Sequence, residues 1–521
     1  MALKYSIKTN SYIHPSPTVA EYTTIAAVDL GSNSFHCQIA RVDGEQTYPL
    51  DGLREAVRLG AGLDDDKMLD EPSQARAIAA LQRFGERLRS FQPNDVRALG
   101  TNTLRVAKNA TAFLKKAEAA LGFPIEVIAG REEARLIYVG VAHSLPVTSE
   151  RRLVVDIGGG STEFIIGEGY KPQRLDSLYM GCVSYSRQFF KDGKLTKGAF
   201  KQAELAARAE LQHMAAEFSS RNWKHAVSSS GTARALAQVL QALGYAPSGI
   251  TPDGLEKLRL QLIKAGDITR IGIEGLREDR AAVLPGGLAI MIAVLSELEI
   301  EHMGVADGAM REGILIDMLG RTRHHDTRDA TVTQFMQRYH VDAPQARRVG
   351  QLAMNLYQQI AGENAPGAIY LTWAAQLHEI GISVAYSGYH RHSAYIAANA
   401  DMPGFTREEQ HRLAQLLLAH RRSLKKLLPE LDESIDWRMV FALRLAALFC
   451  QRRTSNNPRI ESAKAGENRF RLAIDPAWVL RNPLTNTVLR EEIREWEKIG
   501  FDVKISGLYE VDDGVDIDAA D

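Results

Sequence analysis

Two segments of the chain place an aspartate at the end of an apolar run and follow it with glycine, serine and other small residues. Asp29 ends such a run in residues 26–35 (AAVDLGSNSF), and Asp156 ends another in residues 154–164 (VVDIGGGSTEF). Glycines lack a Cβ, so successive backbone N–H groups of such a turn can point into one concave space and hold phosphate oxygens. A carboxylate directly behind the turn suits a hydrated Mg²⁺, which takes oxygen ligands and keeps several waters. The pattern predicts phosphate and metal binding, and a plain glycine-rich hairpin is the alternative.

The two aspartates lie at positions 29 and 156, which are 127 residues apart and therefore about one domain length apart. Two similar segments at this distance indicate a duplicated α/β unit. A third turn of small residues, 228–233 (SSSGTA), follows an apolar run and opens a helical pattern, where N–H groups attract anions. Helix capping by serine and threonine is the alternative for that turn. The chain contains neither GxxxxGK(S/T) nor GxGxxG, which excludes those two kinds of nucleotide site.

Short apolar runs alternate with helical patterns from residue 25 to about residue 319. Strands alternating with helices predict an α/β architecture. The predicted strands are 25–30, 96–99, 125–128, 153–157 and 225–227. The predicted helices are 72–91, 131–143, 201–218, 281–298 and 308–319.

The pattern changes in the last third of the chain. Residues 320–330 (GRTRHHDTRDA) are charged and predict a linker. Residues 331 to about 450 predict an almost wholly helical part, with breaks at 362–367 and 402–405. After a polar stretch at 454–457, the alternation predicts two paired strands, a helix and a short strand. Their predicted bounds are 459–463, 469–474, 486–499 and 501–506.

The composition is that of an ordinary globular protein. Of the 521 residues, 45% are hydrophobic and 24% are charged, which excludes disordered, fibrous and disulfide-stapled classes. The formal net charge of −1 argues against a nucleic-acid-binding protein, which is normally basic. Residues 510–521 contain six acidic residues and no basic one, so the rest of the chain carries a net charge of +5. Local basic surfaces therefore stay possible.

The cysteines and the apolar runs indicate the compartment. Cys37, Cys182 and Cys450 form no CxxC pair, which predicts buried thiols in a reducing compartment. The N-terminal residues lack the apolar core of a signal peptide, and no stretch of 18 apolar residues occurs. We therefore expect a cytoplasmic protein that is not an integral membrane protein, with peripheral membrane association left open.

Paired hairpins on a duplicated unit resemble the actin, sugar-kinase and heat-shock-chaperone ATPase superfamily, whose domains are ribonuclease H-like. The chain more narrowly resembles the exopolyphosphatase/guanosine pentaphosphate phosphohydrolase family over about residues 22–510. The segments that carry this resemblance are AAVDLGSNSFH, GTNTLR, AGREEARLIY, LVVDIGGGSTEF, MGCVS, SSSGTA, DGAMREGIL and LHEIGISVAYSGYHRHSAYI. The MGCVS stretch and the four-part length look more like the proteobacterial exopolyphosphatase branch.

The resemblance implies four domains and a tail. Two duplicated actin-like ATPase domains are expected, followed by an all-α HD-like domain, a small α+β C-terminal domain and a disordered acidic tail. Their expected bounds are 22–140, 141–322, 323–453, 454–510 and 511–521.

The resemblance also implies an activity, which is processive hydrolysis of terminal orthophosphate from inorganic polyphosphate with Mg²⁺ as cofactor. The alternative within the family is guanosine pentaphosphate (pppGpp) 5′-phosphohydrolase, with ppGpp as a further possible ligand. More distant alternatives are an ATP-dependent kinase of the same superfamily and a non-catalytic sensor of pppGpp or polyphosphate. A homodimer is expected from the resemblance alone.

The resemblance assigns roles to residues of the predicted cleft. Glu133 is expected to orient the attacking water, and Arg105 to neutralise the transferred phosphoryl group. Helical periodicity alone does not choose between Glu132 and Glu133, and either could be an exposed first-turn residue. The expected Mg²⁺ ligands are Asp29, Asp156 and Glu163. The expected phosphate-binding residues are Ser32, Asn33, Gly158, Gly159, Gly160, Ser161, Gly231 and Thr232.

The helical part resembles an HD-type phosphohydrolase domain, whose metal site needs His, then His-Asp, then Asp. Here the pair is His378-Glu379, and the expected upstream helix at 345–359 contains no histidine. We therefore predict this fold without its metal site. The same part contains basic clusters, which predict either a solvated helix face or a polyphosphate channel. The expected channel residues are Arg421, Arg422, Lys425 and Lys426.

Overall fold

The computed structural model of the protein describes residues 23–509, apart from residues 44–45, 147, 274–275, 323–325, 364, 366, 434 and 455–456. The predicted acidic tail at 511–521 lies outside the described residues. The domain boundaries stay predictions, and the architecture is described below by its sheets and helices.

The first unit contains a five-stranded mixed sheet with the strand order β3-β2-β1-β4-β5. Strands β1 to β3 form an antiparallel meander, and β4 and β5 extend the sheet in parallel from β1. The strands are β1 Thr24–Leu30, β2 Phe35–Asp43, β3 Gln46–Glu55, β4 Val96–Gly100 and β5 Ile125–Val127. The helices are α1 Glu71–Leu88, α2 Asn102–Val106, α3 Ala110–Leu121 and α4 Gly130–Ser144.

The second unit repeats this topology, with the strand order β10-β9-β6-β7-β8. Strands β6 to β8 again form the antiparallel meander, and β9 again pairs in parallel with the first strand of the unit. The strands are β6 Arg151–Ile157, β7 Thr162–Glu168, β8 Lys171–Leu178, β9 His225–Ser228 and β10 Gly304–Val305. The helices are α5 Cys182–Phe189, α6 Lys197–Leu211, α7 Gly231–Ala242, α8 Pro252–Ala265, α9 Glu278–Ala281, α10 Leu284–Glu297 and α11 Met310–Thr322. The predicted duplication is confirmed.

The first strand of each unit is buried on both faces. In β1, Ala26 packs into the core on the outer side of its sheet, and Ala27 packs into a second core that lies between the two sheets. Helices α4 and α11 supply most of that central core. A strand covered on both faces is apolar at successive positions, which is why the sequence predicts β1 and β6. The edge strands β3 and β8 are largely exposed and polar, and the sequence analysis missed them.

Helices α4 and α11 approach each other at glycines. A Cβ on Gly313 would overlap the carbonyl oxygen of Leu136 and lie 2.7 Å from its carbonyl carbon. A Cβ on Gly140 would overlap the Ala309 carbonyl oxygen in the same way. The two backbones can pack this closely only because both glycines lack a side chain.

The last third of the chain is a helical part with a three-stranded sheet of order β11-β12-β13. Its helices are α12 Thr327–Arg338, α13 Ala343–Ala361, α14 Ala368–Leu377, α15 Tyr389–Asn399, α16 Arg407–Ala419, α17 Leu424–Leu427 and α18 Trp437–Phe449. They are followed by β11 Ile460–Gly466, β12 Arg469–Ile474, α19 Pro476–Leu480, α20 Pro483–Glu497 and β13 Asp502–Ser506. One continuous core joins the helices to the sheet, and in it Phe441 stacks on Phe470 with ring centres 4.1 Å apart.

The prediction of a linker at 320–330 is wrong, because both ends of this stretch are helical. Helix α11 continues to Thr322, and α12 already begins at Thr327. The Asp326 side chain caps α12 by accepting a hydrogen bond from the Arg328 backbone N–H at 2.9 Å. Charged side chains leave no apolar period here although Asp326 and Arg328 are largely buried as an ion pair, so this stretch resembles a linker in the sequence.

The three cysteines are buried and carry free thiols, as the sequence predicts. Within the described ranges, no helix combines the length and the apolar character that crossing a membrane requires.

Replacing Gly313 by alanine is expected to lower the free energy of unfolding by about 1–3 kcal/mol, the usual cost of overpacking, because the new Cβ meets backbone that cannot move aside. The measurement is urea unfolding followed by circular dichroism. Gly350→Ala in α13 is the matched control, since its Cβ would lie 3.6 Å from the Ala375 Cβ, an ordinary contact. The control should be neutral or stabilising by up to about 1 kcal/mol. Equal effects of the two substitutions would contradict the packing argument.

Candidate active site

The two predicted hairpins face each other across a cleft between the two sheets. A Cβ on Gly159 would lie 2.8 Å from the Ser32 Cβ, and one on Gly160 would lie 2.5 Å from Oδ1 of Asn102. A side chain at either glycine would therefore collide with the opposite wall. The glycines are needed for the close approach of the two turns as well as for exposing backbone N–H groups.

The cleft encloses about 140 Å³. Sites that hold a complete small molecule usually measure roughly 300–1,000 Å³. This space therefore suits the phosphoryl end of a substrate and leaves the rest of the substrate outside. The predicted residues that line it are Asp29, Ser32, Asn33, Glu133, Asp156, Gly158, Gly159, Gly160, Ser161, Gly231 and Thr232.

Asp156 and Glu163 are direct cross-strand partners on β6 and β7. Burial raises the pKa of both carboxyls, and the nearby charge of Glu133 raises the pKa of Glu163 further, well above its usual range. The hydroxyl of Ser229 donates to Oδ2 of Asp156 at 2.7 Å, and that of Ser177 donates to Oε1 of Glu163 at 2.9 Å. The second hairpin therefore gathers acceptor oxygens whose charge the surrounding protein only partly offsets.

The first hairpin carries a histidine where the second carries a glutamate. His36 pairs with Asp29 across β1 and β2, at the same seven-residue spacing that separates Asp156 from Glu163. The Nδ1 atom of His36 lies 3.7 Å from Oδ2 of Asp29, and burial lowers the pKa of the imidazole. His36 lines the cleft but was not predicted as a site residue. Comparing the two halves of the repeat would have revealed it.

Glu133 lies in the first turn of α4 and is only 8% exposed. Its Oε2 accepts a hydrogen bond from Nη1 of Arg105 at 2.8 Å, and the same Nη1 donates to the Ile128 carbonyl at 3.0 Å. Burial raises the pKa of Glu133, while the Arg105 guanidinium acts in the opposite direction. Arg105 is not among the residues that line the cleft. In this arrangement it holds the Glu133 carboxylate in place.

The structure also separates the two candidate glutamates. Glu133 lines the cleft, whereas Glu132 is turned into the protein, is 2% exposed and binds Arg135. Neither is an exposed first-turn residue, so that alternative is wrong. The local sequence pattern could not decide this, because burial at these positions comes from distant parts of the chain.

Three arginines that the sequence analysis did not single out as site residues line the cleft: Arg234, Arg280 and Arg311. A Cβ on Gly231 would lie 2.7 Å from Cζ of Arg280, so this guanidinium sits at the N-terminus of α7, where anions are attracted. Arg234 follows Gly231 by three residues, and Arg311 lies in the segment DGAMREGIL. Both arginines are therefore next to or within motifs that the sequence already marks as part of the site. Arg280 lies in an ordinary polar stretch, and no sequence motif marks it as a site residue.

The donor set of the cleft suits a hydrated magnesium ion. Among the described residues, no three His, Cys, Asp or Glu side chains are arranged to hold a metal ion directly. Asp29 and Asp156 nevertheless line one small space, and Glu163 lies beside Asp156. Mg²⁺ prefers such oxygen donors and retains several waters, so binding partly through water is consistent with this arrangement.

A second and larger cavity, of about 900 Å³, lies in the helical part. His378, Glu379, His420, Arg421 and Arg422 are among the residues that line it. Glu379 is bound by the Arg453 guanidinium at 2.8 Å, and burial lowers the pKa of both lining histidines. Two of the expected channel residues, Lys425 and Lys426, are exposed on the short helix α17 and do not line the cavity. The absence of a metal at the His-Glu pair stays a prediction.

Comparisons with known proteins bear on the family and the fold of the chain. The profile described as the Ppx/GppA phosphatase family matches residues 38–322, and that of Ppx/GppA phosphatase, domain III, matches residues 327–493. Curated relatives from Photobacterium profundum and Vibrio cholerae, both named guanosine-5′-triphosphate,3′-diphosphate pyrophosphatase, are each 40% identical to this chain. The alignments cover 91% and 92% of this chain and 96% and 97% of those relatives. A solved exopolyphosphatase from Cytophaga hutchinsonii has a TM-score of 0.51 and 25% identity, over 57% of this chain and 98% of its own.

Replacing Glu163 by glutamine is expected to raise the free energy of unfolding at pH 8 and to change it less at pH 5. The raised pKa means that the folded protein holds this proton more tightly than the unfolded chain. The stability that protonation supplies is complete below the unfolded pKa of about 4.5 and is lost as the pH rises through the folded pKa. Glutamine does not ionise, and its oxygen can still accept from Ser177.

The measurement is urea unfolding without divalent cations at the two pH values. Glu168→Gln is the control, because Glu168 is the exposed last residue of the same strand. A Glu163→Gln effect that is equal at pH 5 and pH 8 would rule out this electrostatic explanation.

Proposed function

The chain belongs to the Ppx/GppA phosphatase family, and we propose from this that it removes the terminal 5′ phosphate of pppGpp and leaves ppGpp. The family makes it a hydrolase with the two-domain actin-like fold, followed by a helical C-terminal part. The observation that carries the substrate proposal is the 40% identity, over more than nine-tenths of the chain, to relatives named for hydrolysis of this nucleotide. Polyphosphate, the substrate expected first from the sequence, becomes the second candidate.

The geometry of the cleft supports hydrolysis of a terminal phosphate. The glycine-rich turns of the two hairpins and the start of α7 line a space that fits a phosphoryl group, and backbone N–H groups of such turns attract phosphate oxygens. The Arg105 guanidinium holds Oε2 of Glu133, so Oε1 remains to orient water and accept its proton. Water then attacks the terminal phosphorus, the bond to the bridging oxygen breaks, and orthophosphate and ppGpp leave. Most of the catalysis would come from positioning and charge stabilisation.

Mg²⁺ would be held by Asp29, Asp156 and Glu163, largely through water, and would neutralise charge on the phosphate oxygens. The Arg234, Arg280 and Arg311 guanidiniums line the same space and offer further positive charge to the substrate. The guanosine of pppGpp would lie outside the cleft, because the enclosed volume fits only the end of its phosphate chain. A cytoplasmic location and a homodimer stay predictions.

Replacing Glu133 by glutamine is expected to lower kcat for phosphate release from pppGpp by on the order of 10²–10⁴-fold, the usual contribution of a general base, with a small change in KM. The assay is orthophosphate release by the purified protein with Mg²⁺. Glu71→Gln is the matched control, because Glu71 is also a first-turn helix glutamate but is exposed. Unchanged phosphate release by Glu133→Gln would remove Glu133 from the proposed mechanism.

Hydrolysis of inorganic polyphosphate is the second candidate, and two observations favour it. The similar solved structure is an exopolyphosphatase, and the cavity in the helical part is lined by Arg421 and Arg422. Phosphate release from pppGpp, long polyphosphate, short polyphosphate and ATP should therefore be compared under the same conditions. Preferential use of ATP with transfer to an acceptor would overturn both candidates.

Reversing the charges of Arg421 and Arg422 to glutamate is expected to shorten processive runs on long polyphosphate and to spare short chains. A long chain reaches basic residues beyond the active site, whereas a short one does not. The measurement is the chain-length distribution of the products on gels. Charge reversal at the exposed pair Lys115 and Lys116 on α3 is the control. Equal losses on long and short chains would exclude a channel at this cavity.

A further inference from the structure

Directly behind the candidate active site, four charged side chains form a buried network. Arg135 binds Glu132 through two hydrogen bonds of 2.7 Å and donates to Oδ1 of Asp317 at 2.6 Å. The other oxygen of Asp317 accepts from Nη1 of Arg97, also at 2.6 Å. None of the four residues is more than 8% exposed. Each buried charge of the network therefore has a partner of opposite sign, and Arg97 also pairs with the half-buried Glu126 at 3.3 Å.

Each part of this network lies on an element that lines the cleft or directly precedes a cleft-lining residue. Glu132 directly precedes Glu133 in α4. Asp317 lies on α11, whose first residues include the cleft-lining Arg311. Arg97 lies on β4, and the chain enters the cleft at Thr101, directly after this strand. The network therefore fixes three walls of the site relative to one another.

The helical part of the protein also reaches this network, through Thr327 at the start of α12 and through one turn. The Thr327 hydroxyl accepts a hydrogen bond from Nη1 of Arg135 at 3.4 Å. The backbone N–H of Gly404, in the turn between α15 and α16, donates to Oε2 of Glu132 at 2.7 Å. Gly404 has a φ of +88°, and a Cβ there would lie 3.0 Å from the Arg328 backbone nitrogen. The turn is held further by the Thr331 hydroxyl, which donates to the Pro403 carbonyl at 2.6 Å. The helical part thus presents a fixed N–H group to Glu132.

We propose that Glu132 is a positioning residue through which docking of the helical part holds Glu133 in its catalytic orientation. Successive residues of a helix are related by about 100° of rotation, so the first turn of α4 cannot rotate Glu133 without also moving Glu132. Any such rotation would break the bond that Glu132 accepts from Gly404, and it would pull Arg135, which lies on the same helix, away from Asp317. The inference rests on the proposed hydrolase function, because it assigns a task to the neighbour of the proposed catalytic carboxylate.

Replacing Glu132 by alanine is expected to lower kcat by on the order of 10²-fold, the usual effect of misplacing a catalytic group by about 1 Å. KM should change little, because Glu132 does not line the cleft. Rates are expressed per folded molecule, with the folded fraction taken from circular dichroism. Glu132→Gln should recover part of kcat, because its oxygen can still accept from the Gly404 N–H. It also serves as the test variant if the alanine variant does not fold.

The matched control is Asp401→Ala. Asp401 pairs with Arg131 at 3.3 Å and links the same helix to the same turn, but both side chains are about half exposed. Exposed pairs contribute little, so kcat should change less than about twofold. If Glu132→Ala lowers only the thermal stability and leaves kcat per folded molecule at the wild-type value, the positioning role is excluded.

A second measurement does not depend on a substrate. Hydrogen exchange of backbone amides should become faster in Glu132→Ala at residues 130–134 as well as at 402–406, and should stay near wild type in Asp401→Ala. Faster exchange at 402–406 alone would mean that the turn is released without affecting α4, which contradicts the proposal. Absence of phosphate release by the wild-type protein would count against the proposed function, and the exchange comparison would still decide whether Glu132 couples the two regions.

Discussion

Mutual repulsion among buried carboxylates is the constraint on which this site depends. Glu133, Asp156 and Glu163 lie close together at the cleft, and burial raises the pKa of each. The protein opposes this repulsion with the Arg105 guanidinium and with hydroxyl donors, but it leaves part of the charge uncompensated. A folded chain retains such an arrangement at the expense of stability, which is typical of sites shaped for a cation or for chemistry. The rest of the structure serves to hold these groups together.

Two kinds of contact hold the groups of the site in fixed positions. The first is packing between backbones: Gly140 and Gly313 let α4 and α11 approach without intervening side chains, and Gly159 does the same between the hairpins. The second is the buried ionic network that includes Glu132 and Arg135, which links the cleft to the helical part. The packing against α11 and the network both act on α4, the helix whose first turn carries Glu133. The position of the catalytic carboxylate is thus determined by elements far apart in the chain.

The sequence predicted those features that local chemistry determines. Asp29 and Asp156 were found because a doubly covered strand is a continuous apolar run and its turn is rich in glycine. The exposed edge strands β3 and β8 lack such a run and were missed. Arg280 reaches the cleft only through tertiary folding, so no local pattern marks it. The choice between Glu132 and Glu133 likewise depends on which side of α4 faces the second sheet.

The small volume of the cleft separates binding of the terminal phosphate from recognition of the rest of the substrate. A space of about 140 Å³ suits the end of a phosphate chain better than its middle, because an internal phosphate has neighbours on both sides. Recognition of a terminus then depends on the shape of the cleft and on the positive groups that line it, and not on the molecule to which the terminus belongs. Any discrimination between a nucleotide and a polymer has to come from surfaces that contact the body of the substrate. Substrate range in such an enzyme could therefore change while every residue around the reacting phosphorus stays the same.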